Sequence, residues 1–319
     1  MKHNNFKGSI ILVTAALIWG LAFVAQSDAA DRVPPFLINC LRSLISAVFL
    51  FCLLKIKNIK TPQRIIPTDK KAKKAVLTGG LICGVMLTIS VNFQQFGIAL
   101  YPKGAAVEAH SGFLTALYVI LVPIFYIFLG KKVQPIIWGA VAVCLVGFYL
   151  LCFSGGMDGL YINADMLVFF CAIAFSVHIL SVDRFVEAVG GIRLSMLQFL
   201  VCGILSGIMS LIFEFSKIRL DNIISAAPQI LYLGIMSSGI AYTLQIIGQR
   251  YAEPSIASLS MSLESVFAAV GGWAAYKFFE IGDPRTLSTS EIWGCVLVFA
   301  AIVLAQLPPL PKRKNKANT

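Results

Sequence analysis

Apolar runs of about twenty residues, divided by short polar stretches, recur from Ser9 to Leu307. Twenty residues of helix rise about 30 Å, the depth of a bilayer's hydrocarbon core. This pattern predicts ten spans, at 9–28, 35–54, 75–100, 104–129, 135–153, 163–182, 194–213, 228–248, 255–278 and 289–307. Among the linkers only Lys55–Lys74 is long, so there is no room for a soluble domain and any chemistry sits between the helices. The expected fold is an all-α membrane protein of ten transmembrane helices.

Composition agrees with the pattern. The 319 residues are 58% hydrophobic and 13% charged, against about half and about a quarter in a soluble domain. The net charge of +11 is distributed unevenly. With a cytoplasmic N-terminus, 19 Lys and Arg fall on the cytoplasmic side and six on the other, while Arg42 lies inside span two. This is the positive-inside bias, and two basic termini on one side require an even number of spans. The basic tail Lys312–Lys316 therefore reads as a topology anchor, with no nucleic-acid partner. Ala25, Gln26 and Ser27 loosely resemble a signal-peptidase site, but cleavage would leave nine spans and break that parity; the first helix is expected to be retained. All eight cysteines fall within spans without a CxxC pair, which suits packing better than metal ligation or disulfides.

An internal repeat organises the chain. Gln95 and Tyr101 recur as Gln245 and Tyr251, each 150 positions later, and Trp138-Gly139 recurs as Trp293-Gly294. Ala16–Val24 lies over Ala172–Leu180. The halves divide at 156/157, within a glycine-rich linker from Ser154 to Asn163. Because each half holds five spans, an odd number, the second must enter the membrane from the opposite side. Two inverted five-helix repeats result, an architecture common in secondary transporters, whose sites lie near the midplane between the repeats.

Several residues carry a resemblance. Ala16, Leu17, Ile18, Trp19 and Gly20 in span one, Leu41–Ile45 in span two, Gly112–Pro123 in span four and Ser262–Ala269 in span nine together resemble the EamA-type branch of the drug/metabolite transporter superfamily. The resemblance extends from about Gly8 to Leu307. It implies a ten-helix inverted-repeat transporter of the plasma membrane, with helices one to four and six to nine around a central cavity and helices five and ten at the periphery. It also implies a small-solute substrate, such as a metabolite, amino acid or drug, and export as the direction. The chain departs from the pattern twice. Lys131-Lys132 stand where many members carry a glutamate after span four, and Ser265 replaces a proline that often follows the span-nine glutamate, removing an expected kink.

Candidate site residues follow from polar groups placed where lipid would penalise them. Glu264 sits deep in span nine, where a carboxylate needs a partner or a function. It could accept a proton or a cationic group, pair with Arg42, or be capped by Ser260 and Ser262. Arg42 lies about two turns inside span two, too deep to snorkel; it could pair with a carboxylate or meet an anionic substrate. Asn92, Gln95 and Gln245 are neutral amides suited to a cavity wall or to bonds between helices. Glu108 reads as interfacial, as does His178 near the end of span six, while His110 lies deeper in span four and could be proton-sensitive. Trp19, Phe23, Phe96, Tyr118 and Trp273 are candidate aromatic lining.

Secondary transport by alternating access is the function these features favour, with a coupling proton and a homodimer as further expectations. A passive channel or facilitator is the alternative. A membrane-embedded enzyme would need a constellation such as HExxH, and the chain has three scattered histidines instead. No GxxxxGK phosphate loop is present, so neither nucleotide nor other cofactor is expected.

Overall fold

In a computed structural model of the chain, the described residues are 4–60, 66–102, 107–153, 161–279 and 287–307. Residues 154–160, where the halves divide, and the basic C-terminal tail lie outside them. The described residues are all helical or connecting, with no strand. The long helices are α1 (Asn5–Ala30), α2 (Pro35–Lys60), α3 (Lys70–Leu100), α4 (Val107–Ala116 and Tyr118–Phe128), α5 (Pro135–Phe153), α6 (Ile162–Val189), α7 (Gly191–Phe213), α8 (Ala227–Gln249), α9 (Pro254–Met261 and Leu263–Phe279) and α10 (Thr289–Ala305), with short helical turns at Phe215–Lys217 and Leu220–Ser225 between α7 and α8. Eight are long and apolar enough to cross a membrane; α5 and α10 are shorter apolar helices. Each coincides with a span expected from the sequence.

Local chemistry sets the ends. Pro35, Pro135 and Pro254 occupy first helical positions, where a missing N–H costs nothing. The Asp69 carboxylate accepts from Ala72 N at 2.8 Å, and Ser288 forms a capping box with Glu291. α2 is capped from elsewhere in the chain: Phe36 N and Leu37 N donate to the two oxygens of Glu214, at 3.0 Å each. α2 and α3 both run beyond their apolar cores into the basic linker, because lysine stems prolong a helix while their heads reach water.

Two helices are interrupted inside the membrane. α4 breaks at Leu117, six residues before Pro123, and α9 breaks at Ser262. Ser265 stands where a proline was expected to kink α9, yet the helix is interrupted one turn earlier, at Ser262. Serine hydroxyls provide the interruption instead. Ser262 Oγ bonds back to Leu259 O at 2.8 Å, and Ser265 Oγ reaches across to Gly112 O of α4 at 2.9 Å. α8 contains a π-helical stretch, Leu233–Ala241, a widened turn found mostly at functional sites.

Most contacts between the first five helices and the last five come in exchanged pairs. α3 packs on α6 as α8 packs on α1; α3 on α7 as α8 on α2; and α4 on α6 as α9 on α1. Three pairs are their own counterparts: α2 with α7, α4 with α9, and α5 with α10. All three run antiparallel. Gly203 faces Leu44 while Gly207 faces Cys40; Gly112 faces Ala268 while Tyr118 meets Glu264; Gly139 faces Leu304 while Gly147 faces Gly294. Glycine is needed at the last crossing, since a Cβ on Gly147 would lie 2.9 Å from the Gly294 carbonyl oxygen.

Candidate functional site

Where the halves meet, seven helices enclose a cavity of about 450 Å³, its opening included. α1 contributes Trp19, Ala22, Phe23 and Gln26, one face at helical spacing. α2 adds Arg42, α3 Gln94, α4 Thr115 and Tyr118, and α6 Phe175 and Ile179. α8 supplies Ser237, Tyr242 and Gln245; α9 supplies Met261 and Glu264. The interruptions in α4 and α9 fall beside Tyr118 and Glu264, so the lining turns where it carries its most polar groups.

Arg42 and Glu264 both line this space, and no ion pair joins them. The Arg42 guanidinium, 3% exposed, donates to three neutral oxygens: Gln26 Oε1, Ser237 Oγ and Ser238 Oγ, each at 2.9 Å. The π-helical stretch of α8 is what presents two consecutive serines to one side chain. Glu264, 5% exposed, accepts a hydrogen bond from Tyr118 at 2.8 Å. Ser260 and Ser262 do not cap it; their hydroxyls bond to backbone carbonyls of α9. The cavity thus has a cationic wall on α1, α2 and α8 and a carboxylate wall on α4 and α9. Between them stand Trp19 and Tyr242, with ring centroids 4.7 Å apart, and Trp19 Nε1 donates to Ser237 O at 3.3 Å.

The other sequence candidates divide. Gln245 lines the cavity, but its repeat counterpart Gln95 does not: it is fully buried and donates to Gln26 O at 3.2 Å. Asn92 bonds between helices, accepting from Asn39 Nδ2 and donating to Ser206 Oγ, both at 3.0 Å. His110 lies outside the lining, against the Tyr101 and Tyr161 rings. Phe96 packs on Phe36, and Trp273 on Phe278. His178, expected at the interface, is fully buried and stacks edge-on to Tyr242 and Phe175. It is drawn in because α6 continues past it to Val189.

Sequence reasoning missed Gln26, Thr115, Phe175, Ser237, Tyr242 and Met261. The α1 set was detectable as the i, i+3, i+4, i+7 face of span one. Ser237 was not, because its exposure to the cavity depends on the π turn. Among the described residues no three metal-capable side chains stand together.

The apolar helices define an integral membrane protein with a cavity open between its two halves. Comparison with known proteins agrees. The model of the EamA-like transporter family matches twice, over residues 6–153 and 162–307, and the chain belongs to that family. A curated relative from Archaeoglobus fulgidus, described as an uncharacterized transporter, is 26% identical over 297 residues, covering 93% of this chain and 84% of the relative. A protein of known crystal structure superposes with a TM-score of 0.72, covering 98% of this chain and 99% of the other at 20% identity, a likeness of fold alone.

Proposed function

We propose that this protein is a secondary transporter that carries a small dipolar solute, with an ammonium and a carboxylate, across the plasma membrane by alternating access. The observation behind the proposal is the cavity itself, shared by both halves and lined by an arginine and a glutamate that do not pair with each other. A buried charge without a counter-ion is costly, and a solute of opposite charge would relieve that cost only while bound. A carboxylate would meet Arg42 and the Ser237 side of the cavity; an ammonium would meet Glu264, with the faces of Trp19 and Tyr242 between.

The mechanism rests on inverted repeats, residues 1–156 and 157–319, forming one transmembrane unit of ten helices. Exchanged packing pairs and antiparallel self-pairs are what a two-fold axis in the membrane plane would produce. Rocking one half against the other would then expose the cavity to each side in turn. Both termini face the cytoplasm on this reading, from the distribution of lysine and arginine. The outward direction comes from the family resemblance alone. Glu264 is also the residue placed to take a coupling proton, with Tyr118 handing its hydrogen bond to either protonation state.

The reading is tested by thermal shift of the purified protein against three probes of matched size: an α-amino acid, the amine lacking its carboxylate, and the acid lacking its ammonium. A ligand that binds the fold raises its apparent stability. The amino acid should raise the unfolding temperature most. Equal response to all three, or none, would count against a dipolar solute.

A further inference from the structure

Beyond the cavity, a second set of buried polar groups lies between α6, α7 and α8. His178 Nε2 is 3.0 Å from Gln198 Oε1, so that nitrogen carries the proton and Nδ1 is left as an acceptor. Thr243 Oγ1 donates to Ser195 Oγ at 2.9 Å, and Gln249 Nε2 to Ile179 O at 3.1 Å. The seam adjoins the cavity, since Ile179, Tyr242 and Gln245 line it.

Four buried atoms in this seam have no hydrogen-bond partner among the described residues: His178 Nδ1, Gln198 Nε2, Gln245 Oε1 and Gln249 Oε1. Their side chains are 2% exposed or less. A dry, static interface would not keep them, because buried polar groups are nearly always satisfied and a lone one is penalised. Three acceptors and one amide donor are what bridging water satisfies, since each molecule donates two bonds and accepts two. Apolar side chains would pack this layer better if packing were its purpose.

We infer that this seam is a water-filled branch of the central cavity. Its hydration stands independently of the transporter reading; its use as a leg of the transport path rests on that reading. Separation of α8 from α6 and α7 would widen the branch, at the cost of exposing the Ile246 and Leu194 side chains that now pack together.

The experiment uses the full chain with Gln249→Cys, treated in detergent with a small anionic methanethiosulfonate and read peptide by peptide in a mass spectrometer. Cys144, fully buried beside Ser262, is the internal control. The thiol introduced by Gln249→Cys should react several-fold faster than Cys144. Equal rates at the two thiols would overturn the inference. Should that variant fail to fold, radiolytic hydroxyl-radical labelling of the unaltered protein reads the same property, because radicals form at bound water. His178 should then be oxidised several-fold faster than the equally buried Phe148, and protection of both would overturn it.

Discussion

Replacing Arg42 with methionine asks whether the arginine serves the fold or a ligand. In the structure it makes three hydrogen bonds from a charged donor to neutral oxygens. Bonds of that kind contribute about 1.5–3 kcal/mol each, so about 4.5–9 kcal/mol for three. Against this stands the desolvation of a guanidinium 3% exposed, several kcal/mol after relaxation. The terms are similar in size and opposite in sign. Methionine matches the stem, and no carboxylate loses its counter-ion when the charge goes. Gln26, Ser237 and their neighbours can turn to cavity water. Arg42→Met should therefore change unfolding free energy by no more than about 2 kcal/mol, measured by SDS titration of the protein in mixed micelles. The thermal shift given by the amino acid should be lost in the same variant. A loss of about 3–5 kcal/mol, the penalty for breaking a buried ion pair, would refute the reasoning and make Arg42 architectural.

Other substitutions test neighbouring parts of the account. Gly147→Val places a Cβ 2.8 Å from Val298 and 2.9 Å from the Gly294 oxygen; it should destabilise by about 1–3 kcal/mol or more through overpacking, while Gly139→Ala, whose nearest neighbour is 4.0 Å away, should leave the unfolding temperature unchanged. Glu214→Ala leaves two N–H groups of α2 without their acceptor and should cost about 0.5–2 kcal/mol as a lost cap, with Glu214→Gln costing less in the same titration. Glu264→Gln should retain binding of the carboxylate-bearing acid while flux in proteoliposomes loses its response to a pH gradient; an unchanged response would remove the coupling proton from this residue.

Much of the architecture was legible because membranes impose a coarse rule on sequence. Spans must be long and apolar, and basic residues collect on one side; the ten apolar helices follow from those requirements. The site was less legible. Gln95 and Gln245 look equivalent in sequence, yet one bonds a backbone carbonyl and the other faces the cavity, because helix rotation is set by packing that span length does not encode. Ser237 and Ser238 reach Arg42 through a π turn with no sequence signature of its own. The interruption of α9 at Ser262 carries no proline to announce it; serine hydroxyls at Ser262 and Ser265 bond there to backbone carbonyls instead. Glu264 was legible, since its depth alone marked it.

The central claim is that two halves carry a solute past Arg42 and Glu264 by turns, and counterflow in proteoliposomes tests it most directly. Vesicles are loaded with the unlabelled α-amino acid that stabilises the protein best and diluted into a trace of the labelled compound. An alternating-access carrier predicts transient accumulation of label above its external concentration, saturable and absent from an Arg42→Met, Glu264→Gln double variant. Label that only equilibrates, at a rate linear in concentration and unchanged in that variant, would contradict it.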